Sequence, residues 1–253
     1  MSNSPLVNYT KISPNKTKGR NHAIDTITIH CVVGQVSVQS LGEIFQTKKA
    51  SSNYGIGYDG KVGMYVEECD RSWCSSNAAN DNRAITIECA SDMKEPYAIK
   101  TVVYNKLIDL VTDICKRNGI KKLVWSTDKN TRVNHLNGCN MTCHRDYANK
   151  SCPGTYIYER EGKIAEEVNR RLNGDTPSPS GGIEVTTRVI YYKKGDLMKG
   201  QDVKSVQAIV GATQDGTCGA KTDKAIRAYQ KAHGLKQDGM FGPACWQFAC
   251  GAR

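Results

Sequence analysis

The stretch Asn173-Gly-Asp-Thr-Pro-Ser-Pro-Ser-Gly-Gly182 constrains this chain most, because it holds nothing that can bury apolar surface. Small, polar and turn-forming residues cannot cross a hydrophobic core, so the 253 residues must fold as two units with separate cores. The expected boundaries are 1–172 for a larger unit, 173–182 for a flexible linker and 183–253 for a smaller unit. A hydrophobic content of 39% is ordinary for a globular chain.

In the larger unit the apolar pattern switches between two periods. Asp25 to Val33 alternates and reads as a strand, as does Ala84-Ile85-Thr86-Ile87-Glu88. Val38, Leu41, Ile44 and Phe45 share one helical face, and Asn53–Tyr58 with Lys61–Val66 flank Asp59-Gly60, a hairpin signal. After Pro96, the residues Val103, Leu107, Leu110, Val111 and Ile114 recur at helical spacing, and Asn118-Gly119 closes that helix. Strands alternating with helices predict an α/β unit. The smaller unit carries a near-repeat with a period of 23 residues: Asp215-Gly-Thr-Cys-Gly219 before a helix over Thr222–Gln230, then Asp238-Gly-Met-Phe-Gly242 before a helix over Pro243–Ala249. Thr222 is expected as a helix cap and Pro243 in a first turn. With Val203–Val210 as a further helix, this predicts a small all-α three-helix unit.

The chemistry concentrates in His144-Arg-Asp-Tyr-Ala-Asn-Lys150-Ser-Cys152-Pro-Gly154, which sets an imidazole, an amine and a thiol in one short segment. Zinc takes neutral imidazole and thiolate, and a catalytic zinc keeps three protein ligands with a fourth position for water. Ile27-Thr28-Ile29-His30 supplies the third ligand at the C-terminal end of a strand, where open α/β sheets place their sites. The competing arrangement is a closed structural zinc site of Cys139, Cys143, His144 and Cys152, although these spacings are not the usual paired ones. On the second strand Ile85, Ile87 and Cys89 point one way and Thr86, Glu88 and Ala90 the other, which aims Glu88 at the metal cleft. Strand-like alternation puts Lys150 on the side of Cys152. His22 and His135 have no such partners, and His233 reads as a helix-end residue.

Together, the strand-borne His30, the set His144, Lys150, Cys152-Pro153-Gly154 and the strand ending in Glu88 resemble the zinc N-acetylmuramoyl-L-alanine amidases of phage endolysins and bacterial autolysins, over roughly residues 20–172. The fold of that family is shared by animal peptidoglycan-recognition proteins. The resemblance implies a mixed central sheet flanked by helices, Zn2+ held by His30, His144 and Cys152, Glu88 as general base and Lys150 as support for the oxyanion. Some members carry a Tyr near the first hairpin in place of the Glu; Tyr54 lies there and, with Trp73, is expected to contact substrate. In the smaller unit, the repeated Asp-Gly-x-x-Gly and Gln230-Lys-Ala-His-Gly-Leu235 resemble the peptidoglycan-binding domain of cell-wall hydrolases, over about residues 195–250. Two unrelated motifs thus imply one partner, bacterial peptidoglycan, and cleavage of the amide between N-acetylmuramic acid and L-alanine. A non-catalytic peptidoglycan receptor and a zinc peptidase cutting within the stem peptide are the alternatives; receptors of this type lose the last ligand, and Cys152 is present.

The net charge of +10 divides as 24 basic minus 18 acidic residues before position 173 and 11 minus 7 after it, a diffuse field that favours an anionic partner. No Lys/Arg run or nucleic-acid motif accompanies it, so no nucleic-acid partner is expected. No stretch reaches the ~20 apolar residues of a membrane span. Met-Ser-Asn-Ser-Pro-Leu-Val-Asn lacks the blocks of a signal peptide, and 11 cysteines, an odd number, lack a disulfide framework. The expectation is synthesis in the bacterial cytoplasm and action on the wall after a separate membrane lesion, as in phage or prophage lysis. Nothing in the sequence sets an oligomeric state.

Overall fold

The computed structural model describes residues 2–174 and 188–250, which belong to two compact units, 1–177 and 178–253. From residue 175 onward the linker expected at 173–182 lies outside the described residues. In the larger unit six strands form a mixed sheet in the order β1 (Val7–Thr10), β5 (Val62–Met64), β4 (Tyr54–Ile56), β7 (Ala84–Cys89), β3 (Thr26–Cys31), β8 (Met141–Cys143). The hairpin pair β4–β5 is antiparallel, with Tyr54 opposite Met64 and Ile56 opposite Val62, and the other pairs are parallel. β2 (Lys16–Thr17) and β6 (Arg71–Ser72) make a separate antiparallel ribbon. The expected α/β unit with a mixed central sheet flanked by helices is what the chain builds.

The two faces of the central strands differ. Ile27, Ile29, Ile85, Ile87 and Cys89 share a buried cluster with Val103, Leu107, Leu110, Val111 and Ile114 of α3 (Thr101–Asn118) and with Ile164 and Val168 of α7 (Glu161–Leu172). Each such side chain, fully buried, contributes about 1.5–3 kcal/mol. α3 ends as its sequence implies: Gly119 takes φ 72°, and its N–H caps the carbonyl of Cys115. On α1 (Val38–Thr47), Leu41 and Phe45 form a smaller cluster with Tyr65.

The opposite face of β7, β3 and β8 carries a buried threonine ladder. Register sets Thr86 beside Thr28 and Thr28 beside Thr142. The hydroxyls of Thr28 and Thr142 are 2.8 Å apart, and both bond the Asn80 amide of α2 (Ala78–Arg83): its Nδ2 donates to Thr28 at 3.1 Å and its Oδ1 accepts from Thr142 at 2.9 Å. Thr86 pairs with Ser72 at 2.8 Å and donates to Asn53 at 3.2 Å. One step further along the same face stand His30 and Glu88, directly opposite each other.

The segment before α7 is built from α4 (Lys129–Val133), α5 (His144–Tyr147) and α6 (Gly154–Tyr158). The smaller unit holds α8 (Gln201–Ile209), α9 (Ala220–Ala232) and α10 (Pro243–Cys250), with Ile190, Val203, Val206, Cys218, Ile226, Phe241, Cys245 and Trp246 buried together. The repeat has a physical basis. Gln207 on α8 donates to Asp215 at 2.7 Å and to the Thr217 carbonyl at 3.1 Å, and accepts from the Gly216 N–H at 2.9 Å. One period later Gln230 on α9 donates to Asp238 at 2.9 Å and to the Met240 carbonyl at 3.1 Å, and accepts from the Gly239 N–H at 2.9 Å. Pro243 opens α10 as expected, but Thr222 does not cap α9. The helix starts at Ala220 with Gly219 at the cap, and the buried Thr222 hydroxyl instead accepts from Gln207 at 3.1 Å.

Candidate active site

His30, His144 and Cys152 come together: one donor atom from each lies within 4.8 Å of the others. β3 delivers His30, which is completely buried, and its Nδ1 is 3.4 Å from the Cys152 sulfur. The imidazoles of His30 and His144 stand with ring centroids 5.1 Å apart. His144 opens α5 directly after β8, where the carboxylate of Asp146 accepts from the Cys143 N–H at 2.8 Å. Asp146 is itself held by Arg132 through two bonds of 2.6 and 2.9 Å, in a buried pair whose guanidinium lies over Trp125 and Tyr158. The Arg145 N–H donates to the Cys152 carbonyl at 3.1 Å and folds the loop back, so that segment brings two donors to one place. Gly154 follows with φ 81°, and a Cβ there would come within 2.9 Å of the Pro96 carbonyl, so glycine is demanded at this position by both conformation and space.

Electrostatics favour neutral imidazoles. Burial, then the neighbouring His144, holds His30 down at about 3, and burial and the Lys150 charge lower His144. A hydrogen bond with Cys31 and burial push the Cys152 thiol well above its ordinary range. Neutral imidazoles beside a half-buried thiol, with the His30 Nε2 buried and without a hydrogen-bond partner, are a donor set that fits zinc.

Glu88 is partly buried on β7, a strand flanked on both sides, and its Oε2 is a second buried atom without a partner. Burial raises its pKa to about 7. Lys150 lies exposed in an irregular segment rather than in the alternating strand its spacing suggested, and reaches the site through its charge on His144. Trp73 is 38% exposed, with its indole N–H donating to Thr17 at 2.9 Å. Tyr54 has to be corrected as a substrate contact: it is wholly buried, and its hydroxyl donates to Glu68 at 2.7 Å and accepts from the Ser4 N–H at 2.9 Å, beneath the sheet's surface. The closed zinc site is not formed either. Among the described residues Cys139 and Cys143 join no group of potential ligands; Cys143 faces Glu161 and Cys139 the Met141 carbonyl.

The sequence pattern missed the loop before α2. There Asp81 accepts from the N–H groups of Cys74 at 3.0 Å and Ser75 at 3.1 Å, which turns Cys74 inward and brings the Ser76 hydroxyl to 3.1 Å from His144 Nε2. Cys74 lies with His30 and Glu88 in a second group of donors within 4.8 Å of one another. Its one sequence signal was a thiol in the polar run Arg71-Ser-Trp-Cys-Ser-Ser76.

Two family models match the chain. The family described as N-acetylmuramoyl-L-alanine amidase matches residues 20–155, more than half of the chain, and the family described as putative peptidoglycan binding domain matches residues 199–248. The N-acetylmuramoyl-L-alanine amidase CwlL of Bacillus licheniformis is 26% identical over 201 residues, covering 74% of this chain and 50% of that protein. The N-acetylmuramoyl-L-alanine amidase CwlA of Bacillus subtilis (strain 168) is 24% identical over 247 residues, 84% of each chain. The chain spans about half the length of CwlL and of a probable N-acetylmuramoyl-L-alanine amidase from the same species. Among solved structures, PlyL matches with a TM-score of 0.47 and 16% identity, over 64% of this chain and 96% of that one. The endolysin LysCS from Clostridium intestinale URNW matches at 0.45 and 20%, over 65% and 98%.

Proposed function

Because the chain belongs to the N-acetylmuramoyl-L-alanine amidase family, we propose that it hydrolyses the amide joining the lactyl carbonyl of N-acetylmuramic acid to L-alanine in bacterial peptidoglycan. The observation that carries this reading is the convergence of His30, His144 and Cys152 beside the unpartnered carboxyl oxygen of Glu88. His30, His144 and Cys152 would hold zinc, which when bound would polarise the scissile carbonyl and lower the pKa of water to about 7. Glu88 takes the proton of the attacking water on its carboxylate and returns it to the nitrogen of L-alanine. With a pKa near 7 it serves both as base and as acid at neutral pH. The exposed ammonium of Lys150 faces the charge that develops on the carbonyl oxygen, and Trp73 offers a surface ring to the glycan or the stem peptide. The Asp146–Arg132 pair and the Asp81 clamp touch no substrate; they fix the loops that carry His144 and Cys74.

The smaller unit binds the wall and raises the local concentration of the catalytic unit on an immobile polymer. The site of action is the cell wall, and among the described residues no helix is long and apolar enough to cross a membrane. Mass spectrometry of digested peptidoglycan tests the reaction: new L-alanine amino termini support it, whereas cleavage inside the stem peptide makes the protein a peptidase and intact polymer makes it a receptor.

A further inference from the structure

His30 belongs to two groups of donors. Its Nδ1 meets Cys152, while its Nε2 is buried and unpartnered. Glu88 Oε2 is unpartnered as well, and Cys74 completes the second group with donor atoms within 4.8 Å of one another. A buried polar atom left without a partner is costly, and two residues that each carry one, gathered with a thiol, form an arrangement that a cation resolves. Imidazole, thiolate and carboxylate are zinc donors. The loop that presents Cys74 is held by Asp81 and is therefore already in place.

We propose that His30, Cys74 and Glu88 form a second, weaker cation seat for zinc or another thiophilic divalent ion, and that filling it stops hydrolysis. Weakness follows from three costs. The Cys74 thiol must release its proton to solvent from a buried position, His30 must release the proton on Nε2 as well so that its imidazolate bridges the two ions, and the second ion sits beside another of the same charge. Inhibition follows from Glu88, whose carboxylate is no longer free to take a proton from water while it holds an ion. The metal count stands apart from the amidase reading; only the inhibition rests on it.

The test uses the full chain in a Cys69→Ser background, because Glu67, Cys69 and Asp70 gather three further donors. Protein carrying one equivalent of zinc is titrated with more Zn2+, bound metal is counted by native mass spectrometry, and release of L-alanine amino termini is followed in parallel. The parent is expected to take a second ion and to lose hydrolysis as it does so. Adding Cys74→Ser should leave one ion and keep hydrolysis in excess zinc. With Cd2+, the second equivalent should add thiolate-to-metal charge-transfer absorbance in the parent and none in Cys74→Ser. Glu88→Gln, read by metal count alone, should weaken the second ion by roughly 10-fold or more while the first is retained, which keeps the test decisive if the Cys74 variant does not fold. A parent that stops at one ion overturns the second seat and leaves the first standing. A Cys74→Ser protein that still takes two ions overturns the choice of residues, and a chain that binds none removes both seats.

Discussion

In the smaller unit, Gln207 and Gln230 each join three or more partners, 23 residues apart, so each buried amide is tied to the loop that follows its helix. In the larger unit, His30 and Glu88 stand opposite each other on the sheet, yet each keeps a buried atom without a hydrogen-bond partner. The contrast separates two uses of a buried polar group. A satisfied amide specifies a shape; an unsatisfied nitrogen or oxygen, held where it cannot relax, is an open valence for a ligand or a proton. Disturbing the first kind should therefore cost stability, and disturbing the second should cost chemistry.

The largest effect should come from the thiol. Cys152→Ser is expected to lose zinc and amidase activity together, measured by metal analysis and by release of L-alanine amino termini; full activity without zinc would overturn the ligand assignment. Next, Glu88→Gln should keep zinc while turnover falls by roughly 10²–10⁴, the usual worth of a general base. Near-parental turnover would move the role to another group. On the other side of the contrast, Gln230→Ala leaves the Asp238–Gly239 loop unpaired and should cost about 1–3 kcal/mol in the unfolding transition of the smaller unit, with little change in cleavage of soluble muropeptides. Lower turnover with unchanged stability would break the comparison. The smallest effect concerns Glu161, a buried carboxyl facing Cys143 with one oxygen unpartnered, which burial holds well above its ordinary 4.5. Its folded form keeps a proton that the unfolded chain releases, so its cost begins as pH rises past 4.5 and is complete above the folded value. Glu161→Gln should match the parent in stability at pH near 4.5 and exceed it by about 1 kcal/mol in alkaline solution, seen as a Tm gap that widens with pH. A constant gap would mean that Glu161 is not the titrating group.

Much of this is legible in the sequence itself. The alternation of Thr26–Cys31 and Ala84–Cys89 placed His30 and Glu88 on one face, and the parallel register then set them opposite each other. The 23-residue period marked the two Asp-Gly turns, and the structure adds the glutamine that locks each of them, Gln207 and Gln230. Three things were not legible. Tyr54 looked like a surface tyrosine, yet the buried Glu68 and its Arg117 partner drew it inside through contacts far apart in sequence. Lys150 sits in a segment too short and irregular for alternation to govern. Cys74 and Ser76 reach the site because Asp81 bends their loop, a side-chain to backbone clamp that leaves no periodic trace.

The threonine ladder limits how such a chain can diverge. Thr28, Thr142 and Asn80 bond one another, and Asn80 Oδ1 also accepts from the Tyr147 hydroxyl, so replacing one alone strands its neighbours, whereas an apolar set of similar shape at all four is close to neutral. In a lineage descended from this sequence, those four positions should drift as a set, and an intermediate holding only some of the changes should be the rare sequence.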